Sequence, residues 1–169
     1  FNNNTHFPQG SGAVSSIALT KDSGYVLTVY DLDQQLNTYV VLLIKLNSAG
    51  DLEWNSIITT PSQNIFNNHV KAIEDESGNF YVTCGGYGSM GVAKISPTGS
   101  FIWGKQATVT GNKNPLFDIA LTHDGGVIVT AKGESHKEVL VFNYNGSVRW
   151  AKIYDNGAYN RLYVIKQLA

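Results

Sequence analysis

A chain of 169 residues is long enough to bury one substantial core, since chains of this size remove roughly 70% of their unfolded surface from water. Its 12 basic and 13 acidic residues leave a net charge of -1 and make up only 15% of the composition, which excludes the electrostatic footprint of a nucleic-acid binder or of a protein held on anionic lipid. Abundant Gly, with recurring Tyr, Thr, Val and Asn, favours short strands joined by tight turns over helices.

The opening "FNNNTHFPQG" has neither the basic start nor the apolar stretch of a signal peptide, and a start at Phe1 suggests processing. "VSSIALTKDSGYVLTVY" then reads as a hairpin, with Gly24 supplying positive φ in the turn. The following "YDLDQQLNTY" is expected to be an inserted loop. Asp31 and Asp33 in it are weak candidates for Ca²⁺, but too few further ligands and no glycine turn accompany them, so no metal is expected. "YVVLLIKLNSAGDLEW" supplies a third strand, a turn at Gly50 and a fourth strand carrying Trp54. "YVVLLI" is also the longest apolar run, far short of the ~20 residues of a membrane helix, so no membrane insertion is expected.

A second unit opens with "KAIEDESGNFYVTC", which repeats the first hairpin with Gly78 in its turn and one extra residue behind it. The single Cys84 excludes an internal disulfide and reads as a small buried hydrophobe. "GGYGSMG" is a Gly-rich hairpin with no helix behind it to receive a phosphate, and "AKISPTGSFIW" places Gly99 before Trp103. The third unit, "FDIALTHDGGVIVTA" followed by "LVFNYNGSVRW", contains Gly126, Gly146 and Trp150. The closing "RLYVIKQLA" (161–169) has the pattern of one more inner strand, with Leu162, Val164, Ile165 and Leu168 along a sticky edge.

Gly-x-x-x-Trp recurs in all three units, and the Trp residues are 49 and 47 positions apart. Four short strands at a fixed period match a propeller blade better than a sandwich. The expected fold is therefore all-β and one domain over 1–169: three four-stranded antiparallel blades near 14–60, 70–109 and 116–155, with partial blade strands at both ends. Trp54, Trp103 and Trp150 are expected at equivalent, largely buried sites between neighbouring blades.

The strings "IKLNSAGDLEW", "AKISPTGSFIW" and "THDGGVIVTA" resemble the tandem β-propeller repeats of bacterial and archaeal surface or secreted proteins, over nearly the whole chain. The third unit departs, with Val141 where the others have Lys45 and Lys94. A shorter similarity links the Gly and Trp spacing to quinoprotein-dehydrogenase repeats, without implying the cofactor. The resemblance implies an extracellular or surface location with a leader already removed, and it specifies fold rather than function.

No catalytic set is expected. His6, His69, His123 and His136 are scattered without metal-ligand spacing, and no nucleophile elbow surrounds a serine. Glu74, Asp75 and Asp118 are the acids nearest the inner strands. Three blades fall short of the usual four to eight, so the leading expectation is a structural subunit, with another copy or a second propeller chain completing a ring or fibre through strand edges. The alternatives are a fragment of a larger propeller and a binding module for a glycan or protein, for which Tyr30, Tyr39, Tyr87 and Tyr159 are candidate loop-tip aromatics. Sequons at Asn3 and Asn145 leave glycosylation open.

Overall fold

The computed structural model of the protein describes residues 12–33, 38–59, 70–86, 89–108, 118–132 and 136–155. Every regular element among them is a strand. Blade 1 consists of β1 (Ala13–Leu19), β2 (Tyr25–Asp33), β3 (Thr38–Leu46) and β4 (Leu52–Thr59). Blade 2 consists of β5 (Ala72–Glu74), β6 (Phe80–Gly86), β7 (Ser89–Ile95) and β8 (Phe101–Thr108), and blade 3 of β9 (Asp118–Leu121), β10 (Val127–Lys132), β11 (His136–Phe142) and β12 (Val148–Asp155). Each blade is one antiparallel sheet with its strands in sequence order. The expected strands at the two chain ends, including Leu162, Val164, Ile165 and Leu168, lie outside the described residues, as do Tyr87 and Tyr159.

The first strands lie together, β1 beside β5 and β5 beside β9, and the blades stack face to face from there outward. Alternation with period two gives each blade two apolar faces. Val26, Val41, Leu43 and Ile58 of blade 1 meet Phe80, Val82, Ala93 and Ile95 of blade 2 in one core. Tyr81, Met90 and Val92, pointing to the other face of blade 2, meet Ile119, Val129, Leu140 and Phe142 of blade 3 in a second. Cys84 is buried in the first core as expected, and burial pushes its thiol pKa up to about 12. Among the described residues the three blades do not close on one another into a ring.

The register repeats closely. Trp54, Trp103 and Trp150 pair with Lys45, Lys94 and Val141, and in every blade one residue before the Trp is bulged out: Glu53, Ile102 and Arg149. All six described hairpin turns share one hydrogen-bond pattern. At the first turn, the Thr20 amide donates to the Gly24 carbonyl and the Ser23 amide to the Thr20 carbonyl, each at 3.0 Å. The fourth turn residue has positive φ in every case: Ser23, Gly50, Gly78, Gly99, Gly125 and Gly146.

That pattern corrects three expectations. Positive φ falls on Ser23 and Gly125, not on Gly24 and Gly126. Those two are small for a different reason: a Cβ on either would come within 2.3 Å of a carbonyl oxygen, of Leu46 and Phe142 respectively. Nor does the second hairpin carry an extra residue after Gly78. Gly78 aligns with Ser23 and Gly125, and Asn79 takes the place of Gly24 and Gly126. Lastly, much of "YDLDQQLNTY" is not loop: Tyr30–Asp33 extend β2 and Thr38–Tyr39 begin β3, so the insertion lengthens the middle strands of blade 1 to 9 residues each.

Candidate functional site

The most specific repeated construction joins one blade to the next. The Trp54 ring lies flat on Gly99, where a Cβ would come 2.8 Å from Cε3, and its Nε1 donates to the Pro97 carbonyl at 3.0 Å. Trp103 does the same one blade further on. A Cβ at Gly146 would come 2.8 Å from Cδ2, and Nε1 donates to the Tyr144 carbonyl at 3.1 Å. Phe80 and Tyr81 complete these seats with edge-on ring contacts at 5.5 and 5.9 Å. The sequence pairs each glycine with the Trp that follows it; in space Gly99 and Gly146 each serve the Trp of the preceding blade.

The rings are less buried than expected. Trp54 and Trp103 are half-buried, because blades diverge toward their outer strands, and Trp150 is 36% exposed. No glycine turn stands in front of Trp150 among the described residues. The opposite end shows the matching lack: Gly50 has positive φ and the same turn, yet none of the described residues lies within 4 Å of the Cβ position that meets a Trp at Gly99 and Gly146. The inner strands agree. Ile17 is 62% exposed, whereas its counterparts Ala72 and Ile119 are 5% and 4% exposed.

Each blade has a charged first turn. Lys45, almost fully buried, donates to Asp22 and Glu53 at 2.7 Å each. Burial alone would lower its pKa, but these two carboxylates outweigh it and raise the value; the same bond, with Thr20 and the Gly24 amide, holds Asp22 well below the usual carboxylate range. In blade 2 the acid moves two positions, to Asp75, which takes Lys94 at 3.2 Å while its Oδ1 caps the Ser77 and Asn79 amides. Burial works to raise the pKa of Asp75, and these bonds lower it overall. Lys94 also donates to the Tyr81 hydroxyl at 2.9 Å, and that hydroxyl donates to the Gly125 carbonyl of blade 3 at 3.0 Å. Blade 3 has no lysine here. Val141 fills the space, and Arg149 on the outer strand pairs with Asp124.

The acids near the inner strands serve contacts between blades. Glu74 accepts from the Lys21 amide at 2.7 Å, Glu76 from the Lys21 ammonium at 2.6 Å, and Asp118 from Lys71 at 2.9 Å. Asp31 is buried and accepts from the Leu32 amide at 2.7 Å, while nothing is described of the Asp33 side chain. Among the described residues no three His, Cys, Asp or Glu side chains are gathered as a metal site. Tyr30 and Tyr39 stack on each other, 5.1 Å apart and 9° from parallel. The Tyr30 hydroxyl is buried without a hydrogen-bond partner, and burial raises its pKa. A cleft of about 240 Å³ separates the first turns of blades 2 and 3, lined by Leu121 as well as by Asp75, Glu76, Thr122 and His123. Neither the cleft nor the cation that Arg149 supplies was visible in the sequence, because both depend on which turns the blade stack brings together.

No family model matches the chain, and no curated protein matches it. Among solved structures, the chain is similar to a protein of unknown function from Bacteroides caccae, determined at 1.35 Å, with a TM-score of 0.55 and 12% sequence identity. The match covers 86% of this chain and 47% of that one, so the chain spans about half the length of its structural neighbour. At this identity the likeness shows a shared fold: an all-β stack of four-stranded antiparallel blades.

Proposed function

We propose that the chain is a non-catalytic structural unit of a β-propeller, joined to further blades by its two end faces to complete a ring or a fibre. One observation carries this reading: positions covered at both blade joints are open at the two ends of the stack. Ile17 and the Gly50 turn lie uncovered on blade 1, and Trp150 on blade 3. Further along the same strand Tyr154 is exposed as well, where its blade 1 counterpart Ile58 is buried. Apolar surface repeated in this way favours burial against another blade. The ion pairs of Lys45 and Lys94 support a structural role, since each lysine is held by acids of its own blade. A location outside the cell or on its surface goes with this reading through the resemblance of the repeats. Light scattering coupled to size exclusion tests it: species larger than 18.4 kDa are expected, growing with concentration.

The cleft between the first turns of blades 2 and 3 favours a second reading, a binding module for a polar ligand such as a glycan. Calorimetric titration of neutral and amino sugars against the wild type and Glu76→Gln separates the two. Saturable heat lost in the variant would favour the binding module.

A further inference from the structure

We infer that this chain associates head to tail with a second copy of itself, Trp150 of one copy seating on the 47–51 turn of the next. The inference rests on the structural reading above and names its contact. At both internal joints a Trp of one blade lies on the fourth residue of the following blade's outer turn and donates to the carbonyl of the second residue, Pro97 or Tyr144. Among the described residues, one half of that joint is left unmatched at each end of the three-blade stack. Trp150 is the ring without a turn, and the 47–51 turn is the seat without a ring.

The seat is already formed. The Asn47 amide donates to the Asp51 carbonyl at 2.9 Å, the Gly50 amide to the Asn47 carbonyl at 3.0 Å, and Gly50 has φ of 85° against 82° at both Gly99 and Gly146. The Ser48 carbonyl stands where those of Pro97 and Tyr144 accept from indole. Charge agrees in sign as well. Asp51 is the one charged residue in the three outer turns, 47–51, 96–100 and 143–147, and Lys152 lies 5.4 Å from the Trp150 ring centre. Ile17 and Leu19 on the first blade and Tyr154 on the last widen the apolar area on the two faces. An unrelated partner would complement one face; a second copy complements both. Because the two faces differ, the contact is heterologous and propagates into a closed ring or an open fibre.

Sedimentation of four samples tests this: wild type, Trp150→Ala, Gly50→Asn, and an equimolar mixture of the two variants. Asn tolerates positive φ, and its side chain meets open space in the single chain but a docked ring in the assembly. Each variant is expected to keep its circular dichroism spectrum and to associate at least about tenfold more weakly. The mixture is expected to recover a dimer that grows no further, because one intact ring then meets one intact seat. Wild type that associates while both variants associate equally well would overturn this contact and leave assembly standing. Association lost in each variant but not recovered in the mixture would replace the head-to-tail contact with a symmetric one and overturn the inference. A wild type that stays monomeric at high concentration would overturn the assembly reading itself.

Discussion

Lys45, Lys94 and Arg149 bring a cation to the first turn of their blades from different places. In blades 1 and 2 it rises from the third strand through the buried layer; in blade 3 it comes from the bulge residue beside Trp150, and the buried position reverts to Val141. The sequence made the lysine-to-valine change legible but not its compensation, since only the bulge turns residue 149 toward Asp124. This yields a cycle of substitutions. Lys45→Val leaves Asp22 and Glu53 facing each other without their cation. Both carboxylates are about half exposed, so the cost is expected near 1–2 kcal/mol, below the 3–5 typical of a fully buried pair. Adding Glu53→Arg rebuilds the blade 3 arrangement around Asp22 and is expected to restore most of that loss. Urea denaturation of both variants checks it, and a double variant less stable than Lys45→Val would show that the two arrangements do not interchange.

At the scale of turns and strands, the glycines most visible in the sequence do two different jobs. Gly50, Gly99 and Gly146 are readable as turn residues from their spacing to Trp. The first turns are harder, because Ser23 adopts the positive φ that glycine supplies elsewhere and Asn79 occupies a position that is glycine in the other blades. Matching letters therefore shifted one hairpin by a residue, and only the shared hydrogen-bond pattern restores the alignment. The outer turns allow strain to be separated from contact. Gly50→Ala meets only the cost of a β-carbon at positive φ, about 1–2 kcal/mol. Gly99→Ala adds a collision with the Trp54 ring, for which a further ~1–3 kcal/mol is expected. Combining it with Trp54→Ala removes the collision, so the two substitutions are expected to be strongly non-additive. Thermal melts of the four chains below the concentration of self-association read the coupling directly. Equal losses in Gly50→Ala and Gly99→Ala would mean that the ring yields freely.

Over the whole molecule, blade number was legible because the Trp residues mark a fixed period, whereas their burial was not, because a blade's outer strand is covered only by the blade that follows. The same dependence makes stability uneven along the stack. Blade 2 contributes to both core clusters, through Phe80, Val82 and Ile95 on one face and Tyr81, Met90 and Val92 on the other. Among the described blades, the end ones each share only one such core. When repeats contact only their neighbours, opening starts where fewest interfaces must be broken. On β12, residues 148–154 are all exposed, so the outer edge of blade 3 is the expected starting point. Hydrogen exchange on the monomer should find the slowest amides in β6 and β7, at least about tenfold slower than those of β12. Val92→Ala should lower protection in blades 2 and 3 together, because its side chain lies in the core they share, and Trp150→Ala should leave blades 1 and 2 unchanged. Exchange at one rate through all three blades would instead mean that they open as a single cooperative unit, with the joints at Trp54 and Trp103 as strong as the sheets they connect.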